Sequence, residues 1–193
     1  EAVKNLIKAI DQMRNGIENN ALDPLVKKIY EEGLKTTASF VDTYNDYSLA
    51  IEYYDELIEL YQKEKKFKNL EYTLENQIFV YLWTGYFEKS IDLSFKFESI
   101  AKLNESISGL VSSNLLIAKA YSEKGEPEIG LELLENLESE YIDEIKLLNQ
   151  LRLKLYKSEI YFMMNDYSQA AIEIEKTIII ADSMVTKKQY NEY

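Results

Sequence analysis

Four short segments of the chain align with one another when the sequence is shifted by forty residues at a time. They cover residues 44–50, 84–90, 124–130 and 164–170. Each segment ends on a small residue, and these residues are Ala50, Ser90, Gly130 and Ala170. A period of roughly 20 to 50 residues is typical of stacked repeats, in which each unit buries its apolar face against its neighbours. The recurrence therefore predicts a solenoid, an architecture that commonly offers a binding surface.

The spacing of apolar residues predicts that each unit is a pair of α-helices. Only 6 Gly and 2 Pro interrupt 193 residues, and apolar residues recur at three- and four-residue spacing nearly everywhere. In the second unit Leu74, Ile78 and Tyr81 share one helical stripe. The forty-residue shift gives their counterparts, Leu34, Ala38, Val41, Ala118, Tyr121, Ser158 and Tyr161. We predict helices over 1–19, 24–44, 47–64, 67–84, 87–103, 105–124, 127–139, 143–164 and 167–182.

The turn inside each unit carries the residues that a helix-to-helix turn requires. One equivalent position is occupied by Asn45, Gly85, Gly125 and Asn165. Gly and Asn are the residues that most readily adopt the left-handed conformation that ends a helix. Asp46 and Asp166 follow as candidate caps, and Pro127 stands where a first helical residue belongs. Asn104 and Asp143 are the predicted starts of two later helices.

Taken together, these features resemble the tetratricopeptide repeat family in a long-period form. The matching features are the small pair Ala38 and Ala50 with its copies, a Tyr late in the first helix, and the Gly/Asn-x-aromatic turn. They cover residues 24–181. The family's usual period is 34 residues, and its proline after the second helix is absent here. The resemblance implies an all-α fold, a right-handed α-α superhelix of about four helix pairs with a flanking N-terminal helix.

The repeat predicts a single domain over residues 1–193, divided at the expected helix ends. Its parts are an opening helix at 1–23, units at 24–64, 65–103, 104–141 and 142–182, and a truncated helix at 183–193. Because the chain starts at Glu1 and not at a methionine, we expect it to be a fragment of a larger protein or a processed form.

Composition excludes several classes of function. A net charge of -12 repels phosphate and anionic lipid, so we expect no direct contact with nucleic acid or membrane surfaces. No apolar run is long enough to span a bilayer. The chain has no Cys and no His, which removes thiolate and imidazole catalysis and the common zinc sites. We therefore expect no enzyme activity, no catalytic residue, no metal and no cofactor, although carboxylate-only magnesium chemistry and a Lys or Tyr base stay open.

The resemblance implies a ligand groove lined by the first helix of each pair. In the second unit Tyr72, Asn76, Phe79 and Trp83 form a stripe separate from the packing residues. Its counterparts in the other units are Glu32, Thr36, Ser39, Thr43, Ser112, Leu116, Lys119, Glu123, Arg152, Tyr156, Glu159 and Met163. Aromatic, amide and basic groups are typical of recognition surfaces. The candidate binding residues are accordingly Tyr72, Asn76, Phe79, Trp83, Lys119, Arg152, Tyr156 and Met163.

Each of these assignments has an alternative. Phe79 and Trp83 also suit packing between neighbouring helices, and most of the 16 tyrosines suit helix–helix seams. Lys119 and Arg152 also suit ion pairs with Glu123, Glu159 or Glu75. Two charged clusters are interpreted as solvated surface: the basic one is Lys63, Lys65, Lys66 and Lys68, and the acidic one is Glu132, Glu135, Glu138 and Glu140.

A carboxylate clamp known in the family is incomplete in this sequence. Lys35 and Asn76 stand at matching positions, but Ser39, Ser112 and Leu116 replace the other clamp residues. With the two strongest cations absent, capture of a C-terminal carboxylate is expected to be weak.

The favoured hypothesis is a non-enzymatic module that binds a protein or peptide segment. It would be the sensor or scaffold part of a larger regulatory protein, and its richness in Lys, Asn, Ile and Tyr suggests a bacterial source. The alternatives are a stand-alone assembly scaffold of lipoprotein type and a cytoplasmic peptide-pheromone receptor domain. Cytoplasmic and extracytoplasmic locations both fit.

Overall fold

The structure, a computed structural model, describes the backbone of residues 2–19, 24–43, 46–141 and 143–190, and these residues form nine α-helices and no strand. The helices are α1 (Ala2–Asn19), α2 (Pro24–Thr43), α3 (Tyr47–Glu64), α4 (Phe67–Trp83), α5 (Phe87–Leu103), α6 (Ile107–Lys124), α7 (Pro127–Tyr141), α8 (Leu147–Met163) and α9 (Tyr167–Tyr190). The predicted all-α helical solenoid is confirmed.

The helices gather into two compact units, residues 1–80 and residues 81–193. In the first unit α2 packs on both α1 and α3. In the second unit α6 contacts α5, α7 and α8, and α8 contacts α9. The division falls inside α4, so it coincides with no predicted repeat boundary, and the single repeat domain stays a prediction.

Two helices begin later than predicted. α6 begins at Ile107, where the side chain of Ser106 accepts a hydrogen bond from the Gly109 amide at 3.1 Å. Asn104 is instead the C-cap of α5. α8 begins at Leu147, after a turn that contains Asp143. Before α6, Glu105 adopts a left-handed φ angle, so the helix cannot start at Asn104. Ser106 follows this turn and is therefore the better cap.

The predicted end of the last helix near residue 182 is wrong. α9 continues to Tyr190, and no separate helix starts at 183. Residues 171–190 contain no Gly, Asn or Pro, so nothing in this stretch favours the left-handed turn that ends a helix. Residues 191–193 of the predicted truncated helix lie outside the described part of the chain.

The turns inside the units have the predicted geometry. Gly85, Gly125 and Asn165 have φ angles of 76°, 99° and 62°. The side chain of Asp166 accepts a hydrogen bond from the Gln169 amide at 3.1 Å, as a cap should. Asp46, in contrast, makes no side-chain capping bond. Pro127 is the first residue of α7, as predicted. The side chains of Val41, Thr43 and Asn45 are not among those that the structure describes.

The connections between units use the same geometry, a regularity that the sequence did not reveal. Lys65 and Glu105 adopt left-handed φ angles of 54° and 52° although neither is Gly or Asn. At each such turn a backbone amide bonds to the carbonyl five residues earlier. These carbonyls belong to Tyr61, Tyr81, Ala101, Tyr121 and Tyr161, with N–O distances between 2.9 and 3.0 Å. Since most of them lie twenty residues apart, these five turns close in the same way whether they lie inside a unit or between units. The connection after α7 differs, because the Ile145 amide bonds to the Tyr141 carbonyl four residues earlier.

Most of the predicted packing residues lie in the core, whereas Tyr81, Tyr121 and Tyr161 are only partly buried. Leu34 and Ala38 in the first unit, and Ala118 and Ser158 in the second, are buried. The small residues at the start of the second helices are also buried. Burial of small side chains at both offsets lets neighbouring helices approach closely.

Candidate functional site

The first compact unit contains a cavity of about 250 Å³ where α2, α3 and α4 meet. Its lining is Lys35, Thr36, Ser39, Tyr54, Leu57, Tyr72, Thr73 and Asn76. Two candidate binding residues, Tyr72 and Asn76, therefore lie together with Thr36 and Ser39 of the corresponding stripe on α2. Tyr72 is 64% exposed, so its ring is accessible to a ligand.

Lys35 stands at the rim of this cavity with its charge already compensated. Its Nζ lies 3.2 Å from carboxylate oxygens of both Glu31 and Glu32, and 5.6 Å from the centroid of the Tyr61 ring. Burial opposes the charge, but hydrogen bonds with Tyr61 and the two glutamates outweigh it and raise the pKa of the Lys35 ammonium. A ligand carboxylate would have to compete with these partners, in keeping with the incomplete clamp.

The remaining polar groups of the cavity are neutral and partly engaged by their own helices. Thr36 Oγ1 donates to the Glu32 carbonyl at 2.8 Å, and Thr73 Oγ1 donates to the Asn69 carbonyl at 2.8 Å. Asn76 Nδ2 donates to the Tyr72 carbonyl at 2.9 Å. Hydroxyls that donate still have acceptor lone pairs, and a side-chain amide has two donors and an acceptor. The cavity therefore offers neutral hydrogen-bonding groups beside an exposed aromatic ring.

The second compact unit contains a larger cavity, of about 580 Å³, where α6, α8 and α9 meet. Its lining is Lys119, Glu123, Leu155, Ser158, Glu159, Phe162, Met163, Ala170 and Ile174. It brings together two candidate binding residues, Lys119 and Met163. The apolar residues Leu155, Phe162 and Ile174 were not predicted, because they lie off the stripe that the repeat defines on the first helices.

Lys119 is held in ion pairs, which confirms the alternative given for it. Its Nζ lies 2.7 Å from Glu123 and 2.5 Å from Glu159, and it lies 5.4 Å from the centroid of the Tyr156 ring. Burial opposes the charge, but the hydrogen bonds that Lys119 donates to Glu123 and Glu159 prevail and raise the pKa of the Lys119 ammonium. This cation is a structural link between α6 and α8.

Several residues of the predicted stripe in the second unit are core residues. Tyr156 is only 8% exposed, and its ring packs in a buried cluster with Leu115 and Leu134. The Arg152 guanidinium lies 6.0 Å from the centroid of this ring. Ser112 and Leu116 are buried as well. For Tyr156, Ser112 and Leu116 the prediction of an open stripe is wrong. α6 contacts α5, α7 and α8, and α8 contacts α6, α7 and α9, so more than one face of each helix is covered.

The other two candidates differ in exposure. Phe79, in the first compact unit, is half-buried. Trp83, in the second compact unit, is 64% exposed. Exposure of this degree favours the groove interpretation for Trp83, whereas Phe79 remains compatible with both interpretations.

Both charged clusters contain residues that are not simply solvated. Lys66 lies 2.6 Å from Glu31 and 2.9 Å from Glu64. Glu138 on α7 accepts hydrogen bonds from Lys154 and Lys157 on α8, both of which are buried. Periodicity along one helix could not reveal these partners, since they lie on other helices.

The Glu138 network stabilises the contact between α7 and α8. Lys157 Nζ lies 2.9 Å from a Glu138 oxygen, and Lys154 also lies 3.6 Å from Glu173 on α9. Burial disfavours the Glu138 carboxylate, but hydrogen bonds from Lys154 and Lys157 outweigh this and lower the pKa of Glu138. These ion pairs therefore link α7, α8 and α9.

The described part of the chain has neither a metal-binding cluster nor a membrane-spanning helix. Within it, no group of three or more Asp and Glu side chains is arranged to hold a metal ion. The described helices also include none that is long and apolar enough to cross a membrane.

Comparison with known proteins identifies the fold. No protein-family model matches the sequence, and no curated protein matches it. Among solved structures, one variant of a putative kinesin light chain from Podosopora anserina with nearly identical TPR-like repeats superposes with a TM-score of 0.70. The match covers 96% of this chain and 87% of that one at 14% identity. The chain shares the fold of these TPR-like repeats.

Two other structures share this TPR-like fold. A second structure of the putative kinesin light chain gives a TM-score of 0.62 at 13% identity, and covers 94% of this chain and 90% of that one. A double mutant of MamA RS-1 gives a TM-score of 0.56 at 14% identity, and the match covers 93% of this chain and 86% of that one. At such low identity the likeness concerns the fold, and it confirms the resemblance drawn from the turn and packing residues.

Proposed function

We propose that this TPR-like chain is a non-enzymatic module that binds a protein or peptide segment, and that the cavity of the first unit receives one side chain of that segment. The observation that carries the proposal is the grouping of Thr36 and Ser39 with Tyr72 and Asn76 around one cavity. These four residues come from two first helices, the surface on which a groove was predicted.

The size of the cavity limits what enters it. About 250 Å³ is less than the 300–1,000 Å³ typical of sites that enclose a small molecule. A single side chain fits this volume, while the rest of a longer segment lies across the surface. Tyr72 would be the aromatic anchor, since exposed Tyr residues often dominate interface energies.

Charge favours one kind of ligand over another. Lys35 is compensated by Glu31 and Glu32, and the chain as a whole has a net charge of -12. An acidic segment would be repelled during approach, whereas a neutral or basic one would be attracted. The preferred ligand is therefore a neutral to basic segment with a polar side chain at its centre.

The wider role that we propose is the sensor or scaffold part of a larger bacterial regulatory protein. Its support is the composition of the sequence and the lack of Cys and His catalytic groups. A module of this kind would transmit occupancy of its binding surface to another part of the same protein.

The proposal is tested by selecting peptides from a display library on the purified chain. The dissociation constant of an enriched peptide is then measured by fluorescence anisotropy with the wild type, Tyr72→Ala, Asn76→Ala and Trp83→Ala. Phe95→Ala is the matched control, because Phe95 is an exposed aromatic residue on α5, a second helix. We expect Tyr72→Ala to weaken binding by about tenfold or more, and Phe95→Ala to leave it unchanged.

Three outcomes would overturn the proposal or part of it. Failure of the library to yield any peptide argues against a peptide surface. Equal losses for Tyr72→Ala and Phe95→Ala argue against the cavity as the site. Turnover of a substrate in broad hydrolase and transferase screens would refute the non-enzymatic assignment.

A further inference from the structure

A cavity of about 230 Å³ lies in the second unit where α5, α6 and α7 meet, apart from the two cavities described above. The described residues that line it include two carboxylates, Glu98 of α5 and Glu140 of α7, and the side-chain amide of Asn114 on α6. Leu133 and Leu137 of α7 belong to its apolar wall. The cavity therefore combines an apolar wall with acidic groups from two different helices.

The forty-residue repeat places a counterpart of this site where α8 contacts α7 and α9. Glu98 corresponds to Glu138, and Asn114 corresponds to Lys154. Each pair is in contact, since Lys154 Nζ bonds to Glu138 and Asn114 Nδ2 lies 3.5 Å from Glu98. Lys154 also lies 3.6 Å from Glu173 on α9. In the counterpart, then, a lysine ammonium lies between carboxylates of two other helices.

The side chain of Asn114 is shorter than that of Lys154 and carries no charge. Its Nδ2 also donates a hydrogen bond to the Leu110 carbonyl at 2.8 Å, so it is held close to its own helix. α6 therefore gives Glu98 a neutral amide where α8 gives Glu138 an ammonium. The space that a lysine side chain would fill beside Glu98 becomes part of the cavity.

The second carboxylate of the cavity lies nearer the end of its helix than the second carboxylate of the counterpart. Leu133 corresponds to Glu173, and Glu140 follows Leu133 by seven residues on α7. Seven residues are two helical turns, or about 10 Å along the axis, so Glu140 lies on the same face as Leu133. Because Glu140 is exposed, a cation can reach it from solvent.

The charges around the cavity favour a cation. A hydrogen bond with Glu140 and burial raise the pKa of Tyr141, which also lines the cavity. The negative charges of Glu140, Glu144 and Glu98 act in the same direction, so the local potential is negative. Lys102 offsets part of this charge, because its Nζ lies 2.9 Å from Glu98. Its side chain is 60% exposed, and exposed pairs at i,i+4 spacing are weak, so a ligand cation can replace it.

We propose that this cavity binds an alkylammonium group, with the ammonium between Glu98 and Glu140 and the methylene chain against Leu133 and Leu137. Carboxylates form strong hydrogen bonds with ammonium groups, and methylene chains of cations pack well on apolar surface. A lysine side chain of a partner and a free polyamine both carry this group. The site lies within residues 81–193, and it is independent of the cavity in residues 1–80.

The proposal is tested with n-butylammonium, which matches the four carbons and the ammonium of a lysine side chain. Binding to the intact chain is followed by NMR through the side-chain amide signal of Asn136, which also lines the cavity. n-Butanol is the neutral control probe. We expect a saturable shift with n-butylammonium and none with n-butanol. Glu98→Gln should weaken binding by at least about tenfold.

Asn114→Lys is the second variant, because it supplies from α6 the ammonium that Lys154 supplies from α8. It should weaken n-butylammonium binding by at least about tenfold as well, since its own ammonium takes the place of the probe. Glu132→Gln is the matched control. It makes the same change in net charge as the other two variants, but Glu132 is an exposed residue of α7 outside the lining of the cavity, so binding should stay unchanged. Circular dichroism establishes that all three variants are folded.

Two larger probes distinguish the sources of the alkylammonium group. Spermidine represents a free polyamine, and Nα-acetyl-lysine methylamide represents a lysine side chain. The probe that binds more tightly, and loses this affinity in Glu98→Gln, identifies the source. Tyr72→Ala should leave both affinities unchanged, so a failure of this proposal and a failure of the peptide surface can be told apart.

Three results would overturn the proposal. One is the lack of a saturable shift when n-butylammonium is added to the wild-type chain. Another is equal weakening by Glu98→Gln and Glu132→Gln, which would indicate attraction by the net charge alone. The third is a folded Asn114→Lys variant that binds n-butylammonium as tightly as the wild type, which would place the ammonium elsewhere.

Discussion

Gly130 of α7 lies so close to Ala118 of α6 that a Cβ atom at position 130 would be 2.7 Å from the Ala118 carbonyl oxygen. Such an atom would also meet the side chain of Ser122 and lie 3.3 Å from Cδ1 of Ile160. Because the nearest backbone atom belongs to a helix, it cannot move aside alone. The close contact between α6 and α7 therefore requires glycine at this position.

We predict that Gly130→Ala destabilises the protein by about 1–3 kcal/mol. Alanine favours a helix by about 1 kcal/mol over glycine, but overpacking against a helix backbone costs more than this gain. The free energy of unfolding is measured by urea denaturation followed by circular dichroism. A variant as stable as the wild type would show that the two helices separate easily.

Gly33→Ala is the matched control for this substitution. Gly33 also lies inside a helix, α2, but a Cβ there would be 3.5 Å from Cε of Met13 and 3.8 Å from Cγ1 of Ile10, which are ordinary contacts. Only the gain in helix propensity remains, so we expect stabilisation by about 0.5–1 kcal/mol. Opposite signs for the two substitutions would isolate the steric effect at Gly130.

Acid should weaken the contact between α7 and α8 through Glu138. The pKa of Glu138 lies below its usual value of 4.5, because the hydrogen bonds from Lys154 and Lys157 outweigh burial. A carboxyl with a lowered pKa in the folded state stabilises at pH values above 4.5, and this contribution is lost as the pH falls through the lowered pKa. At neutral pH, Glu138→Gln should reduce stability by about 2 kcal/mol.

The difference in unfolding free energy between the wild type and Glu138→Gln should shrink as the pH is lowered from 7 to 3. Denaturant titrations at several pH values measure this difference directly. Glu132→Gln, on the exposed surface of the same helix, should change stability by less than about 0.5 kcal/mol at every pH. A difference that stays constant with pH would contradict the role of the carboxylate.

The turn between α6 and α7 should tolerate asparagine better than alanine. Gly125 has a φ angle of 99°, and a Cβ there would meet no atom within 4 Å, so only backbone strain opposes a side chain. Gly125→Ala should cost about 1–2 kcal/mol, whereas Gly125→Asn should cost less, because Asn165 adopts a left-handed φ of 62° at the equivalent position. Thermal denaturation ranks the three proteins, and equal losses for both variants would contradict the argument.

Substitution of Tyr156 should lower the free energy of unfolding, and it should change ligand binding only through this loss of stability. It is buried in the cluster that joins α8 to α6 and α7, so Tyr156→Ala should cost about 3–5 kcal/mol. Tyr156→Phe keeps the ring and its contacts with Lys119 and Arg152, and should cost far less. Denaturant unfolding of both variants tests this, and a small effect of Tyr156→Ala would restore the surface interpretation.

Sequence reasoning succeeded where a feature repeats and is local. Gly85, Gly125 and Asn165 were correctly predicted as left-handed, because a turn conformation depends on the residue that adopts it. It failed for Lys65 and Glu105, which take the same conformation without the residue types that favour it. At these two positions we attribute the left-handed conformation to the packing of the flanking helices and not to the residue type.

The candidate site was predicted less well than the fold. Tyr72 and Asn76 do line a cavity, but Tyr156, Ser112 and Leu116 are buried. The forty-residue shift gives these five residues equivalent positions on α4, α6 and α8. Their burial depends on which helices pack against each of these helices, and a sequence repeat does not show this.

The amino-acid sequence alone determined the all-α repeat, the helix pairs and most of their ends, because each of these follows from periodicity and from residues acting within a single turn. The tertiary structure alone decided which charges are paired, which faces are covered and where cavities remain. Glu138 and Ile178 illustrate the reason: they occupy equivalent positions forty residues apart, yet one bonds to lysines of the next helix and the other is exposed. Burial is a property of neighbours, and neighbours are established only when helices distant in sequence pack together.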